Sequence, residues 1–157
     1  MITEVLTYFS HIATSHVEIN DFILTHKDSF DQKYNQLKGC FLAIDPLTGR
    51  FSGALDQHID LDLTLNLTIG CQFSGGEDVN SINTGYHAAL QRAMDIASDI
   101  LSKIELDIHD SACPIQHIRF PAALQTMELK TQTWAAVELS IPYTLLNKVD
   151  YNPEKWQ

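Results

Sequence analysis

Three residues at alternate positions suggest a first chemistry: His58, Asp60 and Asp62, at the head of HIDLDLTLNLTIGCQF over 58–73. One imidazole and two carboxylates are a donor set for a divalent metal ion, the centre of many hydrolases. The spacing works against convergence. Alternate strand residues stand about 7 Å apart in a line, so a metal would need further ligands from a neighbouring strand. The same face continues as Thr64, Asn66 and Thr68, types that serve cross-strand pairs on a wetted sheet. A solvated sheet face is therefore the favoured reading, with metal binding at His58, Asp60 and Asp62 as its alternative. No cofactor is expected.

A second set resembles a catalytic triplet on paper: His109, Asp110 and Cys113, in DIHDSACP over 107–114. A cysteine nucleophile needs a base held against its sulfur and donors for the oxyanion. The sequence supplies neither, so the stretch reads as a loop with a buried thiol nearby. Gly75-Gly76 lacks the G-x-x-x-x-G-K of a phosphate loop and reads as a strand exit. The seven histidines are scattered, with no H-E-x-x-H spacing. No catalytic residue and no enzyme is expected. Trp134 lies on a predicted strand and is expected in the core. Trp156, beside Tyr151 and Pro153 near the end of the chain, is a candidate anchor for docking on a neighbour.

These residues are positioned by elements of two periods. Ile2, Val5, Leu6, Phe9, Ile12 and Ala13 recur at helical spacing and predict a helix over 2–15. The β-branched and His residues of 16–19 then weaken helix propensity. The polar stretch 26–36 reads as a loop. GCFLAID, 39–45, is a short buried strand ended by Pro46 and the turn PLTG, and residues 50–54 form a second strand pairing back through that turn. In 58–73 every second residue is apolar, from Ile59 to Phe73, which predicts one strand with a greasy and a wet face. Unbroken, it would span roughly 50 Å, several times an ordinary strand.

The clearest helix runs over 81–106, capped by Asn80 or Ser81. Strands follow at 122–130 and 133–143, joined as a hairpin, and then a tail over 144–157. Helix, strands, helix and strands in that order predict one α+β domain over 1–157. Its sheet is mainly antiparallel with a long strand or β-arm, and two helices pack on one face.

The totals bound the class. The chain has 157 residues, 45% of them hydrophobic, which suits a single globular core. A formal net charge of -10 opposes binding to nucleic acid phosphates or to anionic membranes. Three widely spaced cysteines, Cys40, Cys71 and Cys113, with no C-x-x-C, read as reduced thiols in or near the core. The first twenty residues lack the pattern of a signal peptide, and no apolar run approaches the ~20 residues of a membrane span. A soluble protein made in the cytoplasm is expected.

Several segments form a familiar sequence of features. A first helix leads into His16-x-x-Ile19-Asn20-x-Phe22. An apolar strand closes on Pro46 (CFLAIDP). The long strand passes through Glu77 and Asp78 into a helix that opens at Asn80-Ser81-Ile82 and carries Ala97-Ser98-Asp99-Ile100-Leu101. A late strand ends in Ile141-Pro142-Tyr143, and the chain finishes with Asp150-Tyr151-Asn152-Pro153. In this order, over nearly the whole chain, the sequence resembles the tail-terminator and tail-completion proteins in the neck of tailed bacteriophages, of the type found with Bacteroidetes hosts.

The resemblance implies a non-enzymatic virion subunit. It would form a ring, commonly a hexamer, that ends the tail tube and contacts the head-tail connector protein. Its partners would be copies of itself, the tail tube protein and the connector. DNA would pass through without specific binding, and acidic lumen residues, Asp60 and Asp62 among them, would repel its phosphates. The apolar side of the long strand (Leu61, Leu63, Leu65, Leu67), with Tyr151 and Trp156, would contribute to subunit or partner interfaces. A head-tail adaptor or a cap protein of a contractile injection system shares the same physics, and a metal-dependent hydrolase is the remaining alternative.

Overall fold

The computed structural model describes residues 2–24, 37–45, 48–52, 60–74, 78–115, 118, 122–127 and 133–145. Its elements in chain order are α1 (Ile2–Ser15), β1 (Ile19–Leu24), β2 (Cys40–Ile44), β3 (Thr48–Ser52), β4 (Asp60–Gln72), α2 (Val79–His109), β5 (Ala123–Met127) and β6 (Trp134–Leu145). The six strands form one sheet in the order β1-β2-β4-β6-β5, with β3 also paired to β4. All pairings are antiparallel except β1 with β2. The fold is α+β, as the element order predicts. Among the described residues, no helix is long and apolar enough to cross a membrane.

The length of β4 follows from what it must pair. Along one edge it meets β6 from Leu61 opposite Leu145 to Gln72 opposite Trp134. Along the other, β2 and β3 lie end to end. Cys40–Ile44 faces Leu67–Cys71, and Thr48–Ser52 faces Asp60–Thr64. Thus the strand has partners on both edges and is no free β-arm. From Ile44 to Thr48 the outer edge advances four residues while β4 goes back three, Leu67 to Thr64, so the outer side carries one extra residue. The predicted return of the second strand onto β2 is corrected here: β3 begins at Thr48 and pairs with β4, because both short strands run in the same direction along one edge.

Alternation then sorts the side chains. Leu63, Leu65, Leu67, Ile69 and Cys71 of β4 and Ala135, Val137, Leu139, Ile141 and Tyr143 of β6 point to one face. α1 covers it with Val5, Phe9, Ile12 and Ala13, and α2 with Ala89, Ala93, Ile96, Ala97, Ile100 and Ile104. The alanines keep α2 close to the sheet, because interaxial distance is set by side-chain size at the contact. Each large aliphatic group buried here contributes about 1.5–3 kcal/mol against the conformational entropy that folding costs.

α2 starts earlier and ends later than its periodicity predicts. Asp78, not Asn80 or Ser81, is the N-cap: its carboxylate accepts from Ser81 N at 2.9 Å and from Ser81 Oγ at 2.7 Å. Those bonds lower the pKa of Asp78. At the other end Ser111 adopts a left-handed φ of 58°, so that Ser111 N donates to Ile108 O and Ala112 N to Asp107 O. That is a Schellman closure with serine where glycine is usual.

β1 has no counterpart in the sequence reading. A register shift falls between Ile19 and Asp21. Ile19 and Phe22 therefore serve the helix-side core while Ile23 turns to the opposite face. This division hides the period of two. At its join with β2, Gly39 has φ 72°, and a Cβ there would run into Asn20 Oδ1, which accepts from Cys40 N at 2.9 Å.

The face away from the helices carries a small second cluster: Ile23, Leu37, Phe41, Ala43 and Trp134. Trp134 is buried as expected, but on this side. Phe41 meets it edge-on, with centroids 5.2 Å apart, and lies over Gly70. A Cβ on Gly70 would occupy the ring of Phe41. Gly70→Ala is therefore expected to destabilise by about 1–3 kcal/mol through overpacking. Ser111→Gly, which relieves a left-handed serine, is expected to stabilise by up to about 1 kcal/mol. Urea unfolding midpoints check both.

Candidate functional site

On the wet face of β4 the predicted metal donors have other occupations. Asp62 accepts from Thr144 Oγ1 at 2.8 Å and pairs with Arg50 Nε at 3.8 Å. Arg50 stands directly opposite Asp62 in the ladder, and Ser52 opposite Asp60. Farther along, Ser140 Oγ donates to Asn66 Oδ1 at 2.7 Å, and Gln125 Nε2 to Glu138 Oε1 at 2.8 Å. These are cross-strand pairs of the kind that stabilise a wetted sheet. His58 lies outside the described residues. Among the described residues, no group of three or more His, Cys, Asp or Glu could hold a metal ion.

The proposed interface leucines divide differently. Leu65 and Leu67 are fully buried and Leu63 nearly so, all in the chain's own core, while Leu61 is half-buried at its margin. The interface assignment of Leu63, Leu65 and Leu67 is corrected accordingly, because the helices already cover that face. Tyr151 and Trp156 lie outside the described residues, as do Gly75 and Gly76.

His109, Asp110 and Cys113 do not converge into a triplet. The His109 and Asp110 side chains are exposed, 3.6 Å apart, whereas Cys113 is buried. Cys113 belongs to a different cluster that the sequence reading missed. Tyr8 Oη donates to Asp107 Oδ2 at 2.8 Å, and Lys103 Nζ donates to Asp107 Oδ1 at 2.6 Å. The backbone of Asp107 accepts from Cys113 N at 3.1 Å. The Lys103 bond holds the Asp107 carboxyl below the usual carboxylate range, helped by Tyr8. Burial and the bond to Asp107 push the Tyr8 phenol above the usual tyrosine range, and burial raises the Cys113 thiol. The raised thiol is the reverse of what a nucleophilic cysteine needs.

A signal for this cluster was present in the sequence. Ile100, Ile104 and Asp107 continue one helical stripe, so an acid stands where the next apolar residue is due. Its partner Tyr8, 99 residues away, was not readable. Further rungs join the α1 end of the chain to α2: His16 Nε2 to Asp99 at 3.3 Å and Arg92 Nε to Glu18 at 3.0 Å. Tyr8, His16 and Glu18 thus descend α2 from its last turn toward its middle.

Accessible features among the described residues include the sheet margins. Among the described residues, β5 pairs only with β6 and β1 only with β2. Residues 123–126 of β5 are all exposed, Leu124 by 45%. A strand edge of this kind is a template for pairing with another chain.

One further group stands out in the core. Among the described residues, the Tyr143 hydroxyl has no hydrogen-bond partner although the residue is 1% exposed, and burial pushes its pKa up to about 12. Tyr143→Phe removes an unpaired polar atom, so it is expected to leave stability at neutral pH unchanged or higher. Tyr8→Phe removes a bond to a charged acceptor and is expected to cost about 1.5–3 kcal/mol.

The pH dependence has two arms. A tyrosine that holds its proton longer when folded contributes stability that is whole below pH 10.0; for Tyr143 it is lost as pH rises toward about 12. Asp107, held low, contributes stability present above the usual carboxylate range and lost as pH falls through its lowered value. Thermal midpoints across pH should show the alkaline slope reduced in Tyr143→Phe and the acid slope reduced in Asp107→Asn.

No protein-family model matches this chain, and no curated protein matches it in sequence.

Proposed function

We propose that the chain is a structural subunit of the neck of a tailed bacteriophage. In this reading it is a non-enzymatic ring protein, commonly sixfold, that terminates the tail tube and faces the head connector, with DNA passing through. The observation that carries the reading is the open β5 margin of a two-layer α+β sheet. Its strand is exposed on both faces and free on its outer backbone edge among the described residues, so a neighbouring subunit can extend the sheet. The formal charge of -10 supports it: an acidic ring repels the phosphates it must let through. The resemblance carried by the sequence is a further support. Localisation in the virion neck, after synthesis in the host cytoplasm, belongs to the same proposal.

The test is electron microscopy of lysates from a phage carrying an amber codon in this gene. Overlong tails detached from filled heads are expected for a terminator. Tails of normal length that fail to join heads would shift the role to joining or completion. Complete infectious particles would overturn the reading. Two substitutions refine it. Leu124→Lys is expected to leave the isolated chain folded while blocking its addition to tail tubes. Reversing both Asp60 and Asp62 to Lys is expected to slow DNA passage or disturb ring assembly, and infectivity at the wild-type level would remove their lumen role.

A further inference from the structure

Reduced thiols are the sequence expectation for all three cysteines, and the structure corrects it for two. Cys40 on β2 stands directly opposite Cys71 on β4, with Cα atoms 4.2 Å apart, and the two form a disulfide. Cys113 remains free. Both bonded cysteines are fully buried on the helix side of the sheet.

Their place in the topology gives the bond a specific task. β1 pairs only with β2 among the described residues, and β2 pairs with the rest of the sheet only through β4. Among the described residues, the β2–β4 ladder, from Cys40–Cys71 to Ile44–Leu67, is therefore the sole strand pairing between the β1–β2 half-sheet and the β4–β6–β5 half. The disulfide sits at one end of that seam. There the chain also closes with Gln72 N donating to Gly39 O at 2.8 Å and Cys40 N to Asn20 Oδ1.

We propose that Cys40 and Cys71 are a redox lock on this seam. As a dithiol the pair leaves β2 held to β4 by hydrogen bonds and packing alone, so β1–β2 can open as a local unit. As a disulfide it ties the two halves covalently. Oxidation occurs by exchange with a low-molecular-weight disulfide such as oxidised glutathione. One cysteine thiolate attacks it and releases one glutathione; the second cysteine displaces the other glutathione from the mixed disulfide. Two protein S–H bonds and one S–S bond break, one protein S–S bond forms, and the two cysteine protons leave on two glutathione thiols. Because both sulfurs are fully buried, exchange in either direction requires the seam to open first. The lock is therefore set during folding or local opening and is then shielded from reductant. This inference is independent of the phage reading.

The experiment uses the full chain refolded in oxidised or in reduced glutathione. Alkylation in denaturant without reductant should label one cysteine in the oxidised sample and three in the reduced one. Amide hydrogen exchange should then show β1 and β2 opening more readily in the reduced chain, by up to roughly several hundredfold on the scale of a loop of this size. α2 and β5 should exchange alike in both samples. Cys71→Ala should exchange like the reduced chain in either buffer. Three labelled cysteines after oxidative refolding would overturn the proposal. So would equal β1–β2 protection in the two redox states, and that comparison needs no variant to fold.

Discussion

The constraint on which the rest of the molecule depends is the antiparallel ladder between β4 and β6. It is the longest pairing in the sheet, and every other strand except β1 attaches to one of its members. Its register fixes which side chains of both strands share a face. A one-residue slip of either strand would send its own apolar set, Leu65, Leu67 and Ile69 or Val137, Leu139 and Ile141, to the wet side and open the core. The strict alternation of β4 is thus a register device as well as a source of burial. It also explains a strand of thirteen residues in so small a protein: one edge serves a single long partner, and the other serves two short partners in series.

The helix layer is held by two kinds of interaction with different roles. Apolar packing of α1 and α2 on the sheet supplies the bulk of the burial. The polar contacts between the first twenty residues and α2 add direction: Lys103 of the same helix bonds Oδ1 of Asp107, and Oδ2 is satisfied by Tyr8 of α1. Withdrawing Tyr8 would leave its own hydroxyl and one carboxylate oxygen without this bond at a mostly buried site, which opposes sliding or rotation of α1. The core retains one unpaired polar atom among the described residues, the Tyr143 hydroxyl. Its ring packs at the end of β6 where Leu63 stands opposite, so the apolar bulk of the side chain is used there while its polar tip is not.

Among the described residues, the groups whose types suggested chemistry are engaged in the fold. The carboxylate of Asp62 is engaged by neighbours on both adjacent strands, and Cys113 is enclosed with a raised pKa. Among the described residues the sheet offers outward the backbone edges of β5 and β1, on a chain of formal net charge -10. The proposed assembly role would use these elements: a sheet that can be extended, a core that does not depend on the extension, and a charge that repels phosphates. If the Cys40–Cys71 bond closes the β2–β4 seam, the half-sheet farthest from β5 is the part made rigid.

The sequence by itself determined the elements whose pattern is periodic. The helix over 2–15 and the long strand were readable because each buries one face, and burial imposes a period of 3.6 or 2 on the residues that do it. The two-helix, mainly antiparallel α+β architecture followed from their order. Tertiary structure decided what depends on residues far apart in the chain. β1 was hidden because its apolar residues serve both faces. The interface leucines proved to be core because the same alternation fits a strand covered by helices or by a neighbour. The Tyr8–Asp107 bond and the Cys40–Cys71 pair needed the sheet register and the helix packing to bring their atoms together, and local spacing carries no record of either.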